Sequence, residues 1–362
     1  MRQLLLWYNI NMSRKSLNPI ILGVMYFYVH LIAEVLCFFF LQSIVGDSFM
    51  LWLAPFVYDI LAFIPQILIG AISDRFVKIP FGMIGMLLMV AGLCLFGLNG
   101  ALPAMLVVVI MALGSACIHV DVAEVTLRYG KGKIAPAAIY VAGGSFGVVI
   151  GKSLAGSIQI WPLLILALTA IPVIILAGKY RRQTVDIDVP CRQFDYSSKT
   201  VAVWLIAIAV AFVVMVRSYI GYGIPTAWNK TALQMVLLFS FMGIGKALGG
   251  IFTDKIGIRK TAYISMLGAL PFLVLGNDNM LVSLVGIMFF SMTMAITLAI
   301  SVSAFPKTPG FAFGITTVGL ALGVLPIFFF RIDNMIINIV MIVVASIMCL
   351  FVILKTARKE KK

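Results

Sequence analysis

The chain reads as an all-α membrane protein with twelve transmembrane helices, arranged as two pseudo-symmetric six-helix bundles. Three observations carry that reading: apolar runs of membrane-spanning length, cations gathered in alternate loops, and one loop pattern that recurs at half the chain length. Of the 362 residues, 62% are hydrophobic and 11% charged, and the mean hydropathy is +1.12. A soluble domain carries roughly half apolar residues. The runs 81–98, 102–120, 161–177, 201–216 and 335–354 approach the roughly 20 residues a helix needs to cross the hydrocarbon core. They are continuously apolar, which selects helices over the alternating strands of a barrel.

Polar breaks divide the sequence into spans at 18–43, 49–72, 79–98, 101–127, 136–157, 160–178, 199–223, 231–252, 261–276, 280–303, 310–330 and 334–354. Span 1 holds His30 and Glu34, and span 2 holds Asp59. Span 4 carries His119, Asp121, Glu124 and Arg128. Span 5 is GGSFGVVIGKSLAG, with Gly143, Gly147 and Gly151 at four-residue spacing, and small residues at that period let helices pack closely. Span 7 ends in RSYIGYGIP, where Gly221, Gly223 and Pro225 permit local unwinding. Span 10 has Thr293, Thr297 and Ser301 at four-residue steps. The opening MRQLLLWYNINMSRK has a short apolar core and no small-residue cleavage site, so no removable signal peptide is expected.

The net charge of +14 invites a nucleic-acid reading, but the position of the cations excludes it. With the amino terminus inside, 22 of the 27 Lys and Arg fall in inner segments, and only Lys230 and Arg331 fall in outer loops. This is the positive-inside pattern, so both termini are expected in the cytoplasm and the chain in the plasma membrane. Lys152, Arg217 and Lys246 lie within spans. Cys37, Cys94, Cys117 and Cys349 lie in spans and Cys191 in the central loop, without CxxC spacing or a disulfide framework.

Sliding the sequence against itself aligns GAISDRFVK (70–78) with GIFTDKIGIRK (250–260), an offset of 180 residues. Each copy follows the second span of a six-span half. The pattern G-x-x-x-D-[RK]-x-G-x-[RK]-[RK] resembles the hallmark loop of the major facilitator superfamily, matched fully by Gly250, Asp254, Lys255, Gly257, Arg259 and Lys260. In the first copy Gly70, Asp74 and Arg75 match, while Val77, Ile79 and Pro80 depart from it. The resemblance in layout covers the whole chain and implies an amino-terminal bundle (1–178), a cytoplasmic central linker (179–199) and a carboxy-terminal bundle (200–362). It also implies that these loops latch the bundles in one state and release them in another. Physically, each glycine lets two helices approach, and each Asp can accept hydrogen bonds from the amino-terminal amides of a neighbouring helix. The plainer alternative is a topology anchor with a tight turn. LGSACIHVDVAE in span 4 and YVAGGSFGVVIG in span 5 are also similar to the fosmidomycin-resistance-like branch, although Lys152 stands where the glycine-rich helix of superfamily antiporters has proline.

An ionisable residue within a membrane costs about 2.5 to 3.5 kcal/mol on insertion scales, so each one is a functional candidate. The resemblance places spans 1, 4, 7 and 10 around a central cavity, which makes Glu34 the candidate proton-carrying carboxylate, with His30 and Asp59 as further members. The alternative is a structural Glu34 to Lys152 ion pair joining spans 1 and 5. Asp121, Glu124 and Arg128 share a helix face and are expected to form an inner gate network with Asp74 and Arg75. Arg217, Lys152, Thr293, Thr297 and Ser301 are the substrate-binding candidates, with snorkelling of Arg217 to the outer interface as the alternative. Lys246 aligns with Gln66, each four residues before its loop glycine, which favours an inner-side structural role.

The expected function is secondary active transport of a small organic solute, anionic or amphipathic, by alternating access coupled to protons, with export favoured. The expected partners are that solute, protons and membrane lipids, with the chain a monomer that binds no nucleic acid. No cofactor is expected: there is no GxxxxGK[ST] loop, and His30 and His119 are too far apart in sequence to signal a metal site. The alternatives are a membrane enzyme using His119 and Asp121 on a lipid-linked substrate, against which the short loops count, and a non-transporting sensor with a transporter fold.

Overall fold

The computed structural model describes residues 17–44, 48–96, 100–130, 132–157, 159–184, 202–330, 332 and 334–357. The sequence readings at Arg2, Arg14, Lys15, Lys131, Cys191, Arg192, Lys199, Arg331, the carboxy-terminal cations from Arg358 and most of the central linker lie outside these residues. The described residues form helices throughout. In the first half these are α1 (Pro19–Ser43), α2 (Ser48–Phe63), α3 (Gln66–Arg75), α4 (Phe81–Leu95), α5 (Ala101–Tyr129), α6 (Ala135–Leu154) and α7 (Ile160–Thr184). In the second they are α8 (Val203–Tyr222), α9 (Ala232–Ile256), α10 (Ile258–Met266), α11 (Leu270–Leu275), α12 (Met280–Ser291), α13 (Thr293–Ala304), α14 (Pro309–Val324) and α15 (Met335–Thr356).

Among the described residues, eleven continuous or gently broken helices are long and apolar enough to cross a membrane, and Phe81–Leu95 is a shorter apolar twelfth. The chain is a multi-pass membrane protein. Three of the expected spans are broken: α2 and α3 make up one, α10 and α11 another, α12 and α13 a third. The break between α2 and α3 falls at Pro65, which cannot donate a backbone hydrogen bond, and there the Gln66 side chain donates to the Ala62 carbonyl at 2.6 Å. Local signals set the helix starts. Asn18 accepts from the Ile20 amide before Pro19 opens α1, and Thr231 forms a capping box with Gln234 at the head of α9. Asn279 and Asn334 cap α12 and α15 in the same manner.

The helices of each half pack chiefly on one another, and the halves meet where α6 packs on α9 and where α3 packs on α14. The glycine stripe on α6 does what its spacing predicts. A Cβ added to Gly143, Gly147 or Gly151 would run into the backbone of α1 at Phe27, Leu31 or Val35, so these two helices touch main chain to main chain. Large apolar side chains such as Leu68, Leu102, Trp161, Ile165, Leu275 and Phe351 remain exposed on the outer faces of the helices, as suits a surface solvated by lipid tails.

Candidate functional site

Two sites arise at the contact between the halves. The first is at the loop-bearing end. Asp74, the penultimate residue of α3, accepts the amides of Gly310 (3.0 Å) and Phe311 (2.7 Å) at the start of α14. Asp254, at the corresponding place in α9, accepts those of Ile134 (2.8 Å) and Ala135 (2.9 Å) at the start of α6. Each carboxylate thus satisfies two amides that a helix leaves unpaired and sits at the positive end of the helix dipole. A side-chain oxygen that caps the amino terminus of a helix contributes about 0.5 to 2 kcal/mol in all. The glycines four residues earlier explain how the elements come so close. A Cβ on Gly70 would overlap the Gly310 carbonyl, and one on Gly250 would overlap the Cβ of Ala138 and the backbone of Ala135. Gly257 turns the chain out of α9 with φ of +84°, a conformation only glycine adopts without strain.

Around the first copy lies a buried ionic network. Arg128 of α5 donates from Nη2 to Asp74 at 3.0 Å and from Nε to Glu124 at 2.9 Å, and Glu124 also accepts from the Ser73 hydroxyl. Asp121, a turn earlier, packs against Gly82 at the head of α4. The motif cations behave differently from the acids. Arg75 is exposed and lies over the Phe76 ring, while Lys255 and Lys260 are exposed, and none of the three has an ion-pair partner among the described residues. Arg259 donates to the Leu354 and Ala357 carbonyls at 3.0 Å, closing the end of α15 within its own half.

The second site is a central cavity of about 160 Å³ between the halves. Every inner helix contributes to it: His30 and Glu34 from α1, Phe63 from α2, His119 from α5, Ser145 from α6, Arg217 from α8, Lys246 from α9, Thr297 from α13 and Thr317 from α14. Glu34 accepts a hydrogen bond from the Ser115 hydroxyl at 3.2 Å. His119 Nε2 stands 3.7 Å and His30 Nε2 4.0 Å from the same carboxylate oxygen. Both rings are fixed from behind, His30 Nδ1 on the Tyr140 carbonyl (2.9 Å) and His119 Nδ1 on the Ser115 carbonyl (2.8 Å). A carbonyl only accepts, so both Nδ1 atoms carry hydrogen and both Nε2 atoms keep their lone pairs in the neutral rings. Gly144 leaves the space that the His30 ring fills. Across the cavity Lys246 Nζ donates to the Ser145 hydroxyl at 2.8 Å, and Arg217 is 9% exposed with its Nε unpartnered.

Several expectations change at this point. The alternative Glu34 to Lys152 ion pair is not formed: Lys152 Nζ lies over the rings of Phe38 (5.5 Å) and Phe239 (5.8 Å), held by cation–π attraction, and although those rings line the cavity Lys152, expected to bind substrate, does not. Arg217 faces the cavity and is buried rather than reaching the interface. Lys246 also lines the cavity, against the inner structural place expected of it, because its long stem carries the ammonium across to α6. Of the hydroxyl stripe only Thr297 lines the cavity. Thr293 bonds Ser265 (2.8 Å) and Ser301 donates to the Ala312 carbonyl (2.7 Å), so both fasten helices together. Asp59 stands outside the group lining the cavity, near Tyr222, with one oxygen buried and unpartnered among the described residues. His30 and His119, remote in sequence, meet with ring centroids 4.3 Å apart, so the separation that argued against a metal cluster does not hold in space.

No protein-family model and no curated protein matches the chain. Among solved structures it is similar to the human organic anion transporter MFSD10 (TETRAN), at 13% sequence identity and a TM-score of 0.66, covering 93% of this chain and 100% of that one. At that identity the likeness establishes the fold. The chain therefore shares the multi-helix membrane architecture of that protein.

Proposed function

We propose that the protein is a secondary active transporter of a small organic anion, working by alternating access of two bundles, 1–178 and 200–362, joined by the linker 179–199. The observation that carries this reading is the central cavity, where Lys246 and Arg217 stand with no acidic side chain within 4.0 Å among the described residues. Two cations held in a low-dielectric cleft attract an anion strongly, and the Arg fork suits a carboxylate or phosphate. The organic anion named for the solved structural neighbour agrees with this class.

Proton coupling is assigned to Glu34. Its carboxylate faces the same cavity, and neutralising it removes a charge that opposes passage through an occluded apolar stage. Asp59 lies apart from that group and is a weaker second member. The Asp74 and Asp254 contacts, with Gly70, Gly250 and the Glu124–Arg128 pair, are assigned as the gate that closes the loop-bearing end. We assign that end to the cytoplasm on the positive-inside pattern, and the direction to export on the resemblance of α5 and α6 to the fosmidomycin-resistance-like branch.

The test is uptake into proteoliposomes of a panel of carboxylates and phosphates under an imposed pH gradient. Lys246→Met and Arg217→Gln are each expected to weaken anion uptake at least tenfold. Glu34→Gln is expected to retain downhill exchange and lose proton-driven accumulation. Full accumulation by Glu34→Gln would overturn the proton assignment, and unchanged anion uptake by both cation variants would overturn the substrate class.

A further inference from the structure

The convergence of two histidines and a carboxylate in one buried pocket offers more than a proton site. One ligand atom from each of His30, Glu34 and His119 lies within 4.8 Å of the other two, both Nε2 atoms stand 3.7 to 4.0 Å from the same Glu34 oxygen, and all three residues are buried. Three features go beyond simple proximity. Both imidazoles present Nε2, the nitrogen left with a lone pair, toward the same carboxylate oxygen. Both are locked in that tautomer by Nδ1–H donated to a backbone carbonyl, and Glu34 is oriented by the Ser115 hydroxyl. Outer partners of this kind fix the ligands of metal sites. The pocket also stays open on one side to the central cavity.

We propose that His30, Glu34 and His119 form a binding site for a divalent transition-metal ion. Two imidazole nitrogens and one carboxylate with an open fourth position are a donor set suited to Zn²⁺ and its neighbours in the first transition row. Metal–ligand bonds of about 2.0 to 2.2 Å need tetrahedral donors roughly 3.4 Å apart, so donor separations of at most 4.8 Å close by at most about 1.4 Å. Rotation of side chains toward the ion supplies that without moving helices. Hard cations such as Mg²⁺ prefer an all-oxygen shell and are excluded by the two nitrogens.

Lys246 bears electrostatically on all three residues and opposes a bare cation there. An anion taken as the fourth ligand offsets that repulsion, so the ion binds together with an anionic group facing Lys246 and Arg217. Only this last point rests on the transport reading. The metal site itself stands on the geometry of the triad, and it competes with a proton for Glu34.

The experiment uses the full chain, purified in detergent without a polyhistidine tag, stripped with chelator and titrated with Co²⁺ in chloride buffer. The expected result is one Co²⁺ per chain, with visible ligand-field bands of tetrahedral or five-coordinate nitrogen and oxygen donors, displaced by Zn²⁺ but not by Mg²⁺. His30→Ala, His119→Ala and Glu34→Gln should each weaken binding at least tenfold, with size-exclusion profile and unfolding temperature confirming that each variant is folded. Where an alanine variant does not fold, His119→Asn serves, since it keeps a polar group of similar reach and removes the imidazole. Cys117→Ala should bind as the parent does. Absence of stoichiometric Co²⁺ binding, binding that survives loss of both histidines, or thiolate charge-transfer bands that vanish in Cys117→Ala would each overturn the proposal. Because the titration involves no transport, it can fail while anion uptake stands, and succeed while anion uptake fails.

Discussion

The two copies of the loop motif make the same contact by different means. In both, an Asp at the end of one helix accepts two amides at the start of a helix from the other half, and a glycine one turn earlier lets the backbones meet. The first copy matches the family pattern poorly yet is the better buttressed, because Arg128 and Glu124 form a buried ionic network on Asp74. The second copy matches the pattern in every position, but its cations serve elsewhere: Arg259 binds the carbonyls ending α15, and Lys255 and Lys260 are exposed. The essential element is therefore the pairing of a carboxylate with a helix amino terminus across a glycine contact. The trailing cations are accessory to it.

Variants can break this comparison, in order of expected size. Asp74→Ala orphans two amides and strips Arg128 of one partner, an expected loss of about 3 kcal/mol, whereas Asp254→Ala loses the two amide bonds alone, about 1.5 to 2 kcal/mol. Unfolding temperatures measured in one detergent should rank them in that order, and equal shifts would remove the buttressing role given to Arg128. Gly70→Ala and Gly250→Ala each force the halves apart and should cost about 1 to 3 kcal/mol. Ala138→Gly should restore the second in part, since it removes the worst contact of the new Cβ and leaves the tighter-than-usual one with the Ala135 backbone, while no side-chain deletion rescues the first, whose Cβ meets the Gly310 backbone. Arg128→Lys loses the fork that reaches Asp74 and Glu124 together, with about 1 to 2 kcal/mol expected. Smallest is Arg259→Met, at about 1 kcal/mol or less, measured beside Lys255→Met and Lys260→Met, which should leave the unfolding temperature where it is.

What the sequence revealed of this molecule follows from which signals are local. The spans, the repeat and the contacts of Gly70, Asp74, Gly250 and Asp254 were legible, since the spans and the loop pattern are runs of contiguous residues and the repeat is that same run met twice. The glycine stripe on α6 was legible for the same reason. The central cluster was not: His30 and Glu34 are one turn apart, but His119 joins them only through the packing of α1 on α5. Lys246 was misplaced because alignment with Gln66 fixes its height in the membrane and not the reach of its stem. The hydroxyl stripe failed for a geometric reason. A four-residue step advances about 40° beyond a full helical turn, so Thr293, Thr297 and Ser301 drift around the helix and only the middle one meets the cavity. Lys152 went to two aromatic rings instead of Glu34, and ring neighbours from other helices leave no mark on a single sequence.

The central claim is that the two carboxylate contacts hold one end of the molecule shut and that their release lets the halves swing. The direct test is a pair of spin-label distances in a cysteine-free background, one across the latched end between positions 78 and 307, the other across the opposite end between positions 159 and 230. On combining Asp74→Asn with Asp254→Asn, the first distribution should gain a longer component and the second a shorter one. Two distributions that stay single and unmoved would contradict the account.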